Sequence, residues 1–265
     1  MNWEKLTAPE FEKAVKACGG VCLLPLGVVE KHGDHLPLGQ DYLYIHRVSS
    51  MAAEKETAMV FPPFYFGQII EARHVPGTIA LSRELLQPLL EAVCDEIRRN
   101  GFNKIIMVNG HGGNAGLLDF FALSTLERDV DYVVYISRRI LKGKAARAQE
   151  AAVDGHGGET ETSSMLHLHP ELVRMKAFGS YGLPLKRIRK FRDAGLHTGI
   201  WWYADYPGHF CADRTVPTPE KGRVFVREHV SQLVRQIRLV KQDDTPLRLL
   251  KEYHARADKP KNRYP

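Results

Sequence analysis

Four short apolar runs punctuate the chain: VCLLPL at 21–26, AMVF at 58–61, KIIMVN at 104–109 and YVVYIS at 132–137. Each reads as a short strand, the second running into a turn rich in Pro and aromatic residues. Amphipathic stretches with helical spacing separate them. TAPEFEKAVKAC opens with Thr7 as a cap and Pro9 in the first turn. Residues 40–56 predict a second helix, with Asp41 near its start. In SRELLQPLLEAVCDEIRRNG, Ser82 caps, Leu85, Leu89, Val93 and Ile97 repeat on one face, and Gly101 stops the helix. Three further helices are predicted over AGLLDFFALSTLERD, over ETETSSMLHLHP up to Pro170, and over TPEKGRVFVREHVSQLVRQIRLV.

Strands alternating with helices predict a three-layer α/β/α fold around a mainly parallel sheet. The 265 residues are read as a single domain over 1–265. Its one irregular excursion, about 175–218, is rich in Gly, Pro and aromatic residues, as functional loops often are. No internal repeat or low-complexity segment interrupts the pattern.

Three polar, Gly-rich segments follow strands or open helices: 27–41, 109–116 and 154–163. Ligands in open α/β folds bind beyond the carboxyl ends of the strands, so these loops are expected to meet on one rim. The first offers Glu30, His32, Asp34, His35 and Asp41; the second Asn109, His111 and Asn114; the third Asp154, His156, Glu159 and Glu161. Imidazole and carboxylate together suit Zn²⁺, Mn²⁺ or Fe²⁺. A bridging carboxylate would allow a two-metal hydrolytic site. Each piece alone has a plainer reading: a His beside glycines is a turn residue, and an acid before a helix is a cap. Three His–Gly loops in one chain favour the metal.

Composition narrows the partners. The net charge is +6 and the pI about 9.1, with basic clusters at 138–147, 186–192 and the tail. No nucleic-acid reading motif or interleaved aromatics accompany them, so they read as solvated faces and no nucleic-acid partner is expected. Four cysteines without zinc-ribbon spacing read as reduced thiols of a cytoplasmic protein. No apolar run approaches a membrane span, and no membrane partner is expected.

The motifs carry a resemblance. PLGVVEKHGDHLPLGQD resembles the first signature of the creatininase (creatinine amidohydrolase) family. FGQIIEARHVPGTIAL resembles its substrate-side loop, VNGHGGN and HGGETETS its second and third signatures, and PTPEKGRVF its run into the last helix. The order is right over roughly residues 20–235. The resemblance implies a creatininase-like α/β fold, two divalent ions per chain (Zn or Mn, with Fe as a further fit), a small-molecule substrate and a homo-oligomer, often a hexamer. Matched motif by motif, Glu30 and His32 correspond to ligands of different metals, Asp41 to the bridging carboxylate and His111 to the ligand of Asn-Gly-His. Creatininase itself has a glutamate two positions after that histidine, where this chain has Gly113. The resemblance then assigns the last ligand to Glu159 and the proton-donating role to His156.

Asn114 and, from the next loop, Glu71 and His74 are expected to touch substrate, the latter two from the same chain or across a subunit interface. His35 is either structural or a partner of a ligand. Glu161 either orients a ligand or caps its own helix. Trp201, Trp202 and Tyr203 form an aromatic lid or simply pack. The expected activity is hydrolysis of a C–N bond in a small cyclic amide or formamide, as in creatinine amidohydrolase. Deformylation in cofactor biosynthesis, a small peptidase role and a non-catalytic metal-binding scaffold are the alternatives.

Overall fold

The computed structural model describes residues 1–179, 182–213 and 216–260, so parts of the 175–218 excursion and of the basic tail lie outside the described residues. Four strands, β1 (Val21–Leu26), β2 (Met59–Val60), β3 (Lys104–Asn109) and β4 (Val133–Ser137), form a sheet of order β2-β1-β3-β4. Every pairing is parallel, with Leu26 of β1 beside Asn109 of β3 at the carboxyl end. β2 is only two residues long because Pro62 and Pro63 follow it and cannot donate to a ladder.

Side-chain alternation divides the core. Val21, Leu23, Ile106 and Val108 face one side, against α2 (Gln40–Lys55), α6 (Glu159–Leu168) and α9 (Pro219–Gln242). Cys22, Leu24, Ile105 and Met107 face the other, against α1 (Ala8–Ala17), α3 (Arg83–Arg99) and α4 (Asn114–Ser124). Both faces of the central strands are thus covered, and β1 is buried throughout. This is the expected α/β layering. Short helices α5 (Gly143–Ala148), α7 (Arg189–Asp193) and α8 (Trp201–Asp205) and the terminal α10 (Thr245–Ala257) were not anticipated. Among the described residues no helix is long and apolar enough to cross a membrane.

The apolar stripe of α3 is rotated from the expected one. Leu86, Leu90, Cys94 and Ile97 are its buried residues, while Leu85 is 58% exposed. Both sets have helical spacing, and only packing on the sheet selects between them.

The α6–α9 contact sets the depth of the third polar loop. Gly222 of α9 lies so close to α6 that a Cβ there would fall 1.8 Å from the Ser163 carbonyl oxygen. Thr218 caps α9 by accepting from the Lys221 N–H, and its own N–H donates to the Ser163 hydroxyl at 3.1 Å. Further along α9, His229 is buried, with its Nδ1 2.9 Å from the Tyr44 hydroxyl of α2.

Burial, with Arg139 adding to it, drives His229 from 6.5 down to about 3. Burial also takes His35 down to about 4. Both are neutral in the folded protein, whereas the unfolded chain takes up their protons below 6.5. Their contribution is complete above that pH and is lost as pH falls towards 3–4. Urea titrations should show stability falling in this window, and His229→Leu should shallow the fall by up to about 1.4 kcal/mol per pH unit. An unchanged slope in the variant would contradict a neutral buried His229.

Candidate metal centre

The rim beyond β1 and β3 gathers the acids and histidines. The loop after β1 is closed by the Glu30 N–H donating to the Leu38 carbonyl at 2.9 Å, which returns the chain so that α2 presents Asp41 to Glu30. At the end of β3, Asn109 clamps the next turn: its amide donates to the His111 carbonyl at 2.8 Å and its oxygen accepts from the His111 N–H at 3.2 Å. His111 Nδ1 lies 2.7 Å from Glu30 Oε1 and 3.0 Å from Asp41 Oδ2. His32 Nε2 lies 3.0 Å from Asp41 Oδ1, 3.7 Å from Glu161 Oε2 and 3.9 Å from Glu30 Oε1. Asp41 therefore turns one oxygen to each histidine. Glu30, His32, Asp41 and His111 are all buried.

The outward nitrogens fix the tautomers. His111 Nε2 donates to the Gln68 carbonyl at 2.9 Å, and His32 Nδ1 faces the Glu30 carbonyl at 3.3 Å. A carbonyl only accepts, so each neutral ring keeps its proton outside and turns a lone pair inward, towards carboxylate oxygens. Lone pair against carboxylate is repulsive unless a cation lies between them. Glu30 Oε1 and Asp41 Oδ2 are moreover buried without a hydrogen-bond partner. With protons as the only cations, burial would discharge His32, but Asp41, Glu30 and Glu161 oppose it and hold it up at about 10. His111 is likewise raised against its burial, chiefly by Glu30 and Asp41. Burial would raise Glu30, yet His111 and His156 hold it well below the usual carboxylate range.

The donor atoms fit divalent ions. Glu30, Asp41 and His111 form one set, His32, Asp41 and Glu161 another, and Glu30, His32 and His156 a third overlapping combination. Nitrogen and carboxylate oxygen suit Zn²⁺ and Mn²⁺.

Glu159 stands outside this cluster. Its side chain is buried at the start of α6, but it accepts from the Glu150 and Ala151 N–H groups at 2.8 Å each and pairs with Lys221 Nζ at 2.5 Å. Glu161, two residues on, faces His32 instead and accepts from the Gly157 N–H at 2.7 Å, so it both approaches a candidate ligand and caps its own helix. Burial pushes Glu161 up to about 7, with Asp41 adding to the rise and His32 opposing it.

The remaining expectations divide. A cavity of about 410 Å³ is lined by Glu30, Asp41, Glu71, His111, His156 and Glu161, and further by Trp201, Trp202 and His209. His156 sits inside it with Nε2 2.5 Å from the Lys31 carbonyl. Asn114 does not line it: its oxygen accepts from the Gln68 N–H at 2.9 Å and its amide faces Asn109, so it fastens the 68–71 turn to β3. His74 is exposed and braces the Glu71 and Pro207 carbonyls, 3.1 and 2.9 Å from its two nitrogens, outside the cavity. His35 is a core residue: its Nε2 is 2.8 Å from the Thr162 hydroxyl, and Phe178 and Phe210 flank the ring. Trp201 and Trp202 line the cavity, whereas Tyr203 packs edge-on against His74. His209, which no sequence motif singles out, is buried with Nε2 2.6 Å from Glu30 Oε2.

The family model described as creatininase, creatinine amidohydrolase, matches residues 4–237. The chain belongs to the creatininase family. Creatinine amidohydrolase of Pseudomonas putida is 30% identical over 188 residues, 64% of this chain and 72% of that protein. The mycofactocin precursor peptide peptidase of Mycobacterium ulcerans is 29% identical over 234 residues, 81% of this chain and 83% of that protein. A candidate creatinine amidohydrolase from Bacteroides fragilis superposes with a TM-score of 0.79 at 26% identity, over 92% of this chain and 98% of that one. Solved creatininases in manganese and zinc–zinc forms share the fold at TM-scores of 0.74 and 0.75, each over 89% of this chain and 97% and 96% of theirs. Creatininase-family relatives are hydrolases, and the chain is an enzyme of that class, so the scaffold alternative falls away.

The two acids of α6 are expected to separate experimentally. Glu159→Gln should leave metal content unchanged and cost about 3 kcal/mol, because it strips the charge from a buried ion pair. Glu161→Gln should remove or loosen one ion while altering stability less. Metal analysis and urea unfolding of both variants check this, and the reverse outcome would restore Glu159 to the centre.

Proposed function

We propose that this creatininase-family hydrolase is a dinuclear, metal-dependent amidohydrolase that cleaves a C–N bond of a small cyclic amide or formamide. The observation that carries the reading is Asp41, whose two oxygens face two histidines of the ligand tautomer. Glu30, Asp41 and His111 would hold one ion and His32, Asp41 and Glu161 the other. Divalent ions there would supply Lewis-acid polarisation of the amide carbonyl and bring the acidity of water near neutral pH.

The chain's own residues do the rest. His156 stacks on His32 with ring centroids 4.0 Å apart. Burial, with His32 and His209 adding to it, holds His156 neutral, well below its ordinary range. Its Nε2 faces the Lys31 carbonyl and keeps its proton there, so the other ring nitrogen would take a proton from the attacking water and deliver it to the leaving nitrogen. Trp201 and Trp202 wall the cavity, and Glu71 offers an acceptor for a substrate N–H. A Cβ at Gly113 would fall 2.5 Å from His111 Nε2 and 3.1 Å from Glu71 Oε1, so the 68–71 turn fills the room that a glutamate there would need. This difference weighs against creatinine itself and for another small amide.

The peptidase relative, which matches 81% of the chain, supports a second reading in which the amide is a peptide bond. Turnover of cyclic ureides, formamides and short peptides by Mn²⁺- and Zn²⁺-loaded protein distinguishes the readings. Four unpaired, buried cysteines suit a cytoplasmic setting. Exposed Ile70 within the 64–78 loop, and Ile79 and Leu85 just after it, support a homo-oligomer, for which a hexamer is the working expectation.

Asp41→Ala should release both ions, since one residue serves two sites. His156→Ala should keep both and lose roughly 10²- to 10⁴-fold in turnover. Elemental analysis beside kcat measures the two effects. Full metal content in the Asp41 variant would sink the bridging role, and metal loss in the His156 variant would make that residue a ligand.

A further inference from the structure

His209 meets a different partner from the histidines of the proposed ligand sets. Its outward nitrogen, Nδ1, accepts from the indole N–H of Trp202 at 3.0 Å. An indole only donates, so Nδ1 carries the lone pair and the ring proton sits on Nε2. That N–H points at Glu30 Oε2, 2.6 Å away. His32 and His111, whose outward nitrogens meet carbonyls, turn lone pairs inward; His209 turns a hydrogen inward. It has the tautomer of a donor to a ligand, and the wrong one for a ligand.

The backbone is held for this purpose. His209 is a non-glycine residue at φ +54, a left-handed conformation that costs free energy and persists only where the surroundings enforce it. Its N–H donates to the Tyr206 carbonyl, and its carbonyl accepts from the Gly33 N–H, at 3.0 Å each. Trp202, which sets the tautomer, also lies edge-on to His156, with ring centroids 5.6 Å apart. The segment that walls the cavity is thus anchored on Glu30 through one imidazole.

We propose that His209 is a positioning residue that, with its tautomer set by Trp202, donates to Glu30 Oε2 and leaves Glu30 Oε1 for the ion shared with Asp41 and His111. The inference rests on the reading that Glu30 holds an ion. A hydrogen bond to one oxygen of a ligating carboxylate orients the other, and losing such a partner typically costs 10- to 100-fold in metal affinity.

The test is calorimetric titration of metal-stripped protein with Mn²⁺, comparing wild type with His209→Asn, His209→Gln and Trp202→Phe. Asn accepts the left-handed backbone, so His209→Asn should fold, with an unchanged circular dichroism spectrum, while its shorter side chain loses Glu30. It should bind one ion as wild type does and the other about 10- to 100-fold more weakly. His209→Gln, longer and bearing an N–H, should recover most of that loss, which a merely structural role would not produce. Trp202→Phe keeps a ring against His156 but frees the His209 tautomer, and should weaken the same ion to a smaller degree. Wild type that bound no ion would defeat the dinuclear reading itself. Wild type that bound two ions, beside a His209→Asn variant of equal affinity at both sites, would overturn this inference alone. Equal weakening at both sites, or no recovery in His209→Gln, would overturn it too.

Discussion

Two imidazole lone pairs aimed at buried carboxylates set the terms for the rest of the molecule. Such an arrangement is unfavourable without positive charge at its centre, because a buried anion without a partner costs several kcal/mol. The fold therefore has to hold these groups against their mutual repulsion. It does so with backbone: the Gln68 and Glu30 carbonyls take the outer N–H groups, and the Leu38 carbonyl closes the first loop. Every one of these contacts is made by a main-chain group, which a side-chain substitution alone cannot remove.

The parallel sheet makes that holding possible. β1 and β3 are neighbours in register and both end at the same rim, so the two loops that follow them are forced together. The third contributor, α6, is located by α9 rather than by a strand. The absence of a side chain at Gly222 lets the two helices approach until α6 can present Glu161 to His32. The candidate metal centre thus depends on a glycine about sixty residues further along the chain.

Much of this was legible in the sequence. The layered α/β fold follows from the alternation of apolar runs and amphipathic stretches, and the three loops declared themselves by His–Gly pairs at strand ends or helix starts. What was not legible depended on distant partners. Glu159 and Glu161 are both acids at one helix start, separated by roughly 200° of rotation, so only one can face the centre. Lys221 decides which, by capturing Glu159, and nothing within HGGETETS announces that. His209 was missed because its importance lies in a left-handed turn and an indole neighbour rather than in a spacing. Asn114 was read as a substrate contact because its motif is polar and Gly-rich, yet the neighbouring turn uses up its oxygen. Leu85 lost its place in the core to Leu86, a one-residue rotation that periodicity does not resolve.

The helices that open at the rim also shape the field inside the cavity. α2, α4 and α6 all begin there, with Asp41, Gly113 and Glu161 in or beside their first turns. A helix amino end carries roughly half a positive charge, and each such end favours a nearby anion by about 0.3–1 kcal/mol. The four carboxylates that line the cavity therefore do not make it as negative as their number suggests. The amide hydrolysis proposed above would turn a neutral amide into a carboxylate, so the same amino ends would attract the product more than the substrate. Under the proposed function, this field would retard departure of the product rather than arrival of the substrate.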